Sequence, residues 1–230
     1  MNFTEFRDAL FSASLAAGCA AAEVCLTEGE DFEVRVLDGA LDSYSVSRSA
    51  GLGLRVLLAG KNGYAYTERF EDAAALVRRA MDNARAIESA DDHPMQGAQT
   101  YVEVTPPPEP LVAMDEREKI ELCREMERLT KAEDPRVQQV AYNIVSSGRG
   151  TVRIHNTLGL HAERPLAAGA SLVVAVLRDG AEVRDGSGYR LGAASADVAA
   201  CAKEAVREAA ALMGAKSVPA GSYRVLLRND

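Results

Sequence analysis

The Asp-Gly dipeptides at Asp38-Gly39 and Asp179-Gly180 each stand between segments in which apolar and polar residues alternate. Such dipeptides favour the two-residue turns that join antiparallel neighbours, because both positions tolerate positive φ. Parallel strands instead need a long crossover, usually a helix. Turns this tight point away from a doubly wound, dinucleotide-binding sheet and toward an α+β fold built on meanders.

Around the first dipeptide, residues 23–27 and 32–37 alternate, and residues 41–47 answer them with Tyr44 and Val46 set against serines. Residues 51–58 (GLGLRVLL) are more continuously apolar and suit a buried strand. Lys61-Asn62-Gly63 predicts a further turn into 64–67. The pattern thus predicts five antiparallel strands. A helix precedes them, with Phe3, Phe6, Leu10, Ala13 and Ala17 at helical spacing and Gly18 as its left-handed stop. A second helix, about 71–88, follows with Leu76, Val77, Ala80, Ala84 and Ile87 on its buried stripe.

Residues 91–114 break the pattern with Asp91-Asp92-His93-Pro94, Pro106-Pro107-Pro108 and Pro110, which read as a stiff linker without helix or central strand. The plan then recurs. Asp115 with Glu118 makes a capping box for a helix carrying Ile120, Cys123, Met126 and Leu129, which stops at Asp134-Pro135. Strands are expected at 137–146, 151–156, 160–165, 170–177 and 181–191. A last helix runs from after Ser195 to Met213, with Val198, Cys201, Ala202, Ala205, Val206, Ala209 and Leu212 inside and Gly214 as cap.

The expected architecture is therefore a duplicated helix, five-strand meander, helix unit in a pseudo-twofold arrangement. The first repeat occupies 1–90, the linker 91–114 and the second repeat 115–216. Residues 217–230 read as the start of a truncated C-terminal domain. Their strand, 222–228, is expected to be poorly paired or attached to an edge of the second sheet.

Composition narrows the function classes. With 26 basic and 34 acidic residues the net charge is −8, which argues against a nucleic-acid partner. No run approaches the roughly 18 apolar residues of a membrane span. Leu15-Ala16-Ala17-Gly18-Cys19 loosely matches a lipoprotein cleavage box, but Glu5, Arg7 and Asp8 sit where a secretory signal needs a basic start and an unbroken apolar core. The amphipathic helix is the better reading. Cys19, Cys25, Cys123 and Cys201 form no CxxC pair, so they read as reduced thiols of a cytoplasmic protein, Cys123 and Cys201 as small core hydrophobes.

The sequence assigns no catalytic, metal or cofactor-binding residue. His155 and His161 flank the Asn156-Thr157-Leu158-Gly159 turn and could ligate a metal if Glu163 joined them, but no HExxH or comparable helical pair supports that. His93 reads as a solvated loop residue. There is no GxSxG elbow or P-loop, and Gly51-Leu52-Gly53 lacks the third glycine and following helix of a phosphate cradle. Arg149, Arg153, Arg164, Arg178, Arg184 and Arg190 interleave with acids along the second meander as on a solvated sheet face; Glu182, Arg184 and Asp185 read as surface ion pairs before a functional cluster. What remains are long sheet edges, which suit an extended peptide or partner chain bound by strand addition.

Ser49-Ala50-Gly51-Leu52-Gly53-Leu54-Arg55-Val56 and Gly60-Lys61-Asn62-Gly63-Tyr64-Ala65-Tyr66-Thr67, ahead of an alanine-rich helix, resemble the TldD/PmbA family, also called modulator of DNA gyrase. Asp134-Pro135-Arg136-Val137, Asn156-Thr157-Leu158-Gly159-Leu160, and Glu182-Val183-Arg184-Asp185 with Tyr189-Arg190-Leu191-Gly192 agree in order, the last pair resembling the PmbA (TldE) branch more than TldD. The resemblance spans the chain but only the N-terminal half of a family member. It implies a cytoplasmic peptide-processing metallopeptidase complex. In it a TldD-like subunit carries zinc on an HExxxH motif, and a PmbA/TldE-like partner lacks that site and helps enclose a peptide substrate. The implied partners are a TldD-like subunit, or self-association, and a peptide. Two alternatives stay open: a self-contained TldD-like metallopeptidase, and a non-enzymatic regulator that binds gyrase.

Overall fold

The computed structural model describes residues 1–88, 93–102, 105 and 108–227. The first half holds helix α1 (Phe3–Ala16), strands β1 (Ala21–Leu37), β2 (Ala40–Leu58) and β3 (Lys61–Thr67), and helix α2 (Ala73–Ala86). After the linker come the one-turn helix α3 (Pro110–Ala113), helix α4 (Glu116–Glu133), strands β4 (Val137–Asn156), β5 (His161–Asp179) and β6 (Glu182–Leu191), and helix α5 (Val198–Ala211). The fold is α+β. Its strands lie in the order β3-β2-β1-β4-β5-β6, antiparallel throughout, so β1 and β4 join the two meanders into one sheet.

Each meander has three strands, not the expected five. Segments 23–27 and 32–37 are one strand, as are 41–47 and 51–58, 137–146 and 151–156, and 160–165 and 170–177. Glu28-Gly29-Glu30-Asp31 and Ser147-Gly148-Arg149-Gly150 have the composition of turns, yet they run straight through the ladder. Cross-strand charges compensate them there. Glu30 pairs with Arg48 at 2.7 Å and with Arg149 at 3.2 Å, while Arg153 bridges Glu28 and Glu163.

The length of β1 has a packing reason. Ala22, Val24 and Leu26 are buried, and so are Phe32, Val34 and Val36, all in one alternating phase. Residues two apart share a face, so one strand serves two cores on the same side of the sheet. Beneath α1 and α2 the first core gathers Phe6, Leu10, Val24, Leu26, Leu54 and Leu76. Beneath α4 and α5 the second gathers Phe32, Val34, Cys123, Met126, Val173 and Cys201. The polar crossing lies between them, where apolar residues would have no helix to bury them.

The caps follow local chemistry. Asp115 and Glu118 exchange the two bonds of a capping box at 2.7 and 2.8 Å, and Asn2 and Glu5 do the same for α1. Gly18 and Gly214 end their helices at φ +88° and +74°. Asp38 and Gly39 both take positive φ in the β1–β2 turn. The second turn falls elsewhere than expected. Ala59 and Gly60 make it, and Asn62-Gly63 lies inside β3. Gly63 sits against α2, where an added Cβ would meet the Ala80 carbonyl oxygen at 2.0 Å, so tertiary approach outweighs the local turn preference.

Three further expectations change. Pro110 starts α3, since proline at the first helical position forfeits no hydrogen bond. Ile87 is the C-cap residue of α2, and Leu212 is exposed just past α5. Residues 222–227 form no strand, and Leu226 and Leu227 are exposed; position 228 lies outside the described residues. So do Asp91, Asp92, Pro106 and Pro107 of the linker. Its described part crosses the β4–β5 turn, with Met95 buried and the Ala98 N–H donating to the Leu158 carbonyl at 3.2 Å. Among the described residues no helix is long and apolar enough to cross a membrane.

Candidate functional site

His155 and His161 face each other across the β4–β5 hairpin, with ring centroids 4.7 Å apart. Arg7 of α1 brings Nη1 to 3.0 Å from His155 Nδ1. That nitrogen must accept, which puts the proton of the neutral ring on Nε2. Burial, then His161 and Arg7, hold the His155 pKa below its ordinary value. Glu163 is engaged with Arg153 at 3.2 Å. A guanidinium against the imidazole and another on the carboxylate do not fit a zinc site, which needs free lone pairs converging on one point. Among the described residues no group of three or more His, Cys, Asp or Glu could hold a metal ion. His93 offers its carbonyl to Arg55 and Asn62.

The other singled-out segments are joints. Asn156 Oδ1 accepts the N–H groups of Leu158 and Leu160, both at 3.0 Å. Its Nδ2 donates to Glu23 at 3.1 Å and to the Gln96 carbonyl at 2.7 Å, while the Ala22 N–H donates to Thr157 Oγ1. The hairpin thereby ties β1 and the linker to β4. Glu182 and Arg184 pair at 2.6 Å and clasp the end of α5 through Gly214 and Leu212; Asp185 stands opposite Val176 within the ladder. Arg178 donates to Gln138, and Arg190 pairs with Glu204. Gly51-Leu52-Gly53 is extended strand, and Tyr66 lies so close over Gly51 that an added Cβ would meet its Oη at 2.2 Å. The four cysteines are free thiols. Burial pushes Cys123 and Cys201 up to about 12 and also raises Cys19 and Cys25, so none is a ready thiolate at neutral pH.

Sequence reasoning gave no role to Glu127, which is almost fully buried. It accepts the N–H groups of Asp38 and Gly39 at 2.7 and 2.8 Å and pairs with Lys131 at 2.8 Å, locking the β1–β2 turn onto α4. The signal was present. Lys119, Cys123, Met126, Glu127 and Thr130 form the buried stripe of α4, and a charged residue on such a stripe implies a buried partner.

The remaining surface is the sheet itself. On the side away from the helices, β1 presents Cys25, Thr27, Gly29 and Asp31 beside Gly53, Gly51, Ser49 and Ser47 of β2. A hollow of about 600 Å³ opens toward β3, lined by Glu23, Cys25, Arg55, Tyr64 and Tyr66 among others. Besides the outer edges of β3 and β6, two stretches of inner strand carry no neighbouring strand on their outer side among the described residues. β3 pairs with β2 only at 52–58, leaving 40–51 without an outer strand, and Leu41, Tyr44 and Val46 are exposed there. β6 pairs with β5 only at 170–179, leaving 161–169 open, but Pro165 interrupts the N–H row of that edge. The β2 stretch has no proline and suits an added strand.

Two sequence models match the chain in order: PmbA/TldA metallopeptidase domain 1 over residues 22–84, and the PmbA/TldA metallopeptidase central domain over residues 109–213. The chain belongs to the PmbA/TldD family. The first match runs from β1 into α2 and the second from the start of α3 past α5. A Haemophilus influenzae protein named metalloprotease TldD homolog is 30% identical over 207 residues, covering 83% of this chain and 42% of that one. A Thermotoga maritima structure, named as a modulator of a DNA gyrase, matches with a TM-score of 0.80 at 27% identity over 96% of this chain and 50% of that one. TldE from Thermococcus kodakarensis matches in fold, with a TM-score of 0.75 at 16% identity over 89% and 47%. The chain spans about half the length of these PmbA/TldD relatives.

Proposed function

We propose that this chain is the substrate-enclosing half of a PmbA/TldE-like subunit in a cytoplasmic TldD/TldE-type peptidase complex, with zinc and hydrolysis supplied by a TldD-like partner. The observation that carries the reading, beside family membership, is the free β2 edge bordering an uncovered sheet face. An extended peptide or a partner strand can add there through backbone hydrogen bonds, which serve many sequences alike. Co-purification of the whole protein with its TldD-like counterpart tests the reading: a stable, zinc-containing, peptide-cleaving complex is expected, and no association at micromolar concentrations overturns it.

The name of the Haemophilus relative favours a second reading, in which the whole protein is itself the metallopeptidase. Zinc bound stoichiometrically by the whole protein alone, with peptide cleavage in the absence of a partner, would select that reading over the first.

A further inference from the structure

From Ala40 to Ala50 every residue of β2 is exposed, on both faces of the sheet. β1 pairs along one side of this stretch, and on the other side β3 begins only opposite Leu52. Neither proline nor lysine, two of the residues that keep an exposed edge from pairing with another chain, occurs in it. Its one irregularity leaves Asp42 as an extra residue against β1, near the end of the stretch.

This edge carries its own complement. Asp42 and Arg48 lie three residues to either side of Ser45, and Tyr44 and Val46 lie one residue to either side. Two copies related by a twofold axis at Ser45 therefore set Asp42 opposite Arg48 and Tyr44 opposite Val46, each twice, with serines opposite serines between them. Opposite charges, and aromatic against β-branched side chains, are favourable cross-strand pairs. Moving the axis by one residue sets Asp42 against Val46 or Ala50 instead. Moving it by half a residue sets Tyr44 against a serine and turns the helices of the two copies to opposite sides.

Both kinds of pair have partners to spare. Glu30 serves Arg48 at 2.7 Å and Arg149 at 3.2 Å, so one carboxylate answers two guanidinium groups, and the largely exposed Arg48 has room for a second acid. Tyr44 is already held: its hydroxyl donates to Glu116 at 2.5 Å, and its ring meets Phe32 edge-on at 5.6 Å. Little side-chain freedom remains to be lost when a second copy's Val46 packs beside it.

We infer that residues 42–48 of β2 pair antiparallel with the same residues of a second copy of this chain, about a twofold axis at Ser45, joining two six-stranded sheets into one. An isologous contact of this kind closes on itself and leaves no β2 edge to propagate. The pairing rests on the reading of β2 as an interaction edge and names what occupies it; a TldD-like protein plays no part in its test.

The whole protein, purified without a TldD-like counterpart, is expected to sediment as a dimer at micromolar concentrations. Asp42→Arg and Arg48→Asp each set like charges opposite one another twice and should each weaken the dimer about tenfold. An equimolar mixture of the two should recover it as a heterodimer, since every opposed pair is then opposite in charge. Cysteines read the axis directly. Residues opposite one another in an antiparallel ladder have Cα atoms about 4.5–5.5 Å apart, within reach of a disulfide, so Ser45→Cys should crosslink under mild oxidation. Ser43→Cys would stand about 13 Å from its copy, and neither it nor the wild type should crosslink. A monomer, a dimer indifferent to both charge reversals, folded variants that do not recover on mixing, or no preference for Ser45→Cys over Ser43→Cys would overturn the pairing. The crosslink keeps both charges in place, so it decides even if a reversal misfolds. A monomer that still co-purifies with the TldD-like counterpart would sink this pairing and leave the proposed function standing; a β2-paired dimer that ignores the counterpart would do the reverse.

Discussion

In the first half of the molecule the helices meet the sheet through large rings and branched side chains: Phe6 stacks on Phe70 at 5.4 Å, above Leu26, Leu52 and Leu54. In the second half α5 comes down almost onto the backbone. Gly186 and Gly188 of β6 leave so little room that an added Cβ would lie within 2.4 Å of α5 backbone atoms, and Cys201 Sγ donates to the Gly188 carbonyl at 3.0 Å. The order of elements is the same, and in the first half a helix comes comparably close to the sheet backbone at Gly63. The halves are joined by the β1–β4 ladder and by Phe32, Val34 and Val36 of β1 inside the second core, and buried polar groups fasten them further. Glu127 holds the β1–β2 turn, Asn143 Nδ2 donates to the Val36 carbonyl at 3.1 Å, and Asn156 holds Glu23. Alternation and volume can build each core, but joining two cores through a polar crossing takes directional bonds.

The sharpest way to break this comparison is to fill the glycines. Gly188→Val should cost about 3 kcal/mol or more, because the obstacle is backbone that cannot rotate away. Gly63→Val should cost a similar amount. Urea midpoints check both, and a harmless Gly63→Val would mean that the close approach belongs to the second half alone.

The fastening comes next. Glu127→Ala removes the acceptor of two turn N–H groups and the partner of Lys131, so a loss of about 2 kcal/mol is expected. Hydrogen exchange at Asp38 and Gly39 should speed up with it. A loss below about 0.5 kcal/mol would show that the halves are held elsewhere.

The uncovered stretches of β2 and β5 allow a binding comparison. Ser45→Lys on β2 should weaken association with a strand-adding partner about tenfold while shifting stability by no more than about 0.5 kcal/mol. Ala167→Lys, on the edge already interrupted by Pro165, should leave association unchanged. Equal effects at both edges would remove the distinction.

The smallest effects are titrations. The folded pKa of His155 is lowered, so the unfolded chain binds the proton more readily, and stability falls as pH drops below about 7. His155→Gln should flatten that slope by less than about 1 kcal/mol, His155 being partly exposed. Asp134 lies in a different window. Arg136 holds its carboxyl down to about 2, so its contribution is present above about pH 4 and fades toward pH 2. Denaturation midpoints against pH for His155→Gln and Asp134→Asn check the two windows separately.

Much of the fold was legible because local signals agreed with one another: the capping box at Asp115, the stops at Gly18 and Gly214, the Asp38-Gly39 turn and the helical stripes. The family was legible in the order of its segments. The strand count was not, because Glu28-Gly29-Glu30-Asp31 has turn composition, and what keeps it extended is the ladder to β2 and β4 with Arg48, Arg149 and Arg153 on those neighbouring strands. The candidate site was legible only as a class, open sheet edges, since which edge stays free depends on the lengths of β3 and β6.

By itself the sequence determined the four long helices, the order of helical and β regions and the antiparallel sense, since caps, turns and alternation act over a few residues. The tertiary structure decided what those elements share: that one strand feeds two cores, that Asn62-Gly63 gives up its turn to α2, and that Lys119 and Glu127 face inward. Each depends on residues distant in the chain. A glycine records that something approaches it, and a buried charge that something must answer it, but only the folded chain says what.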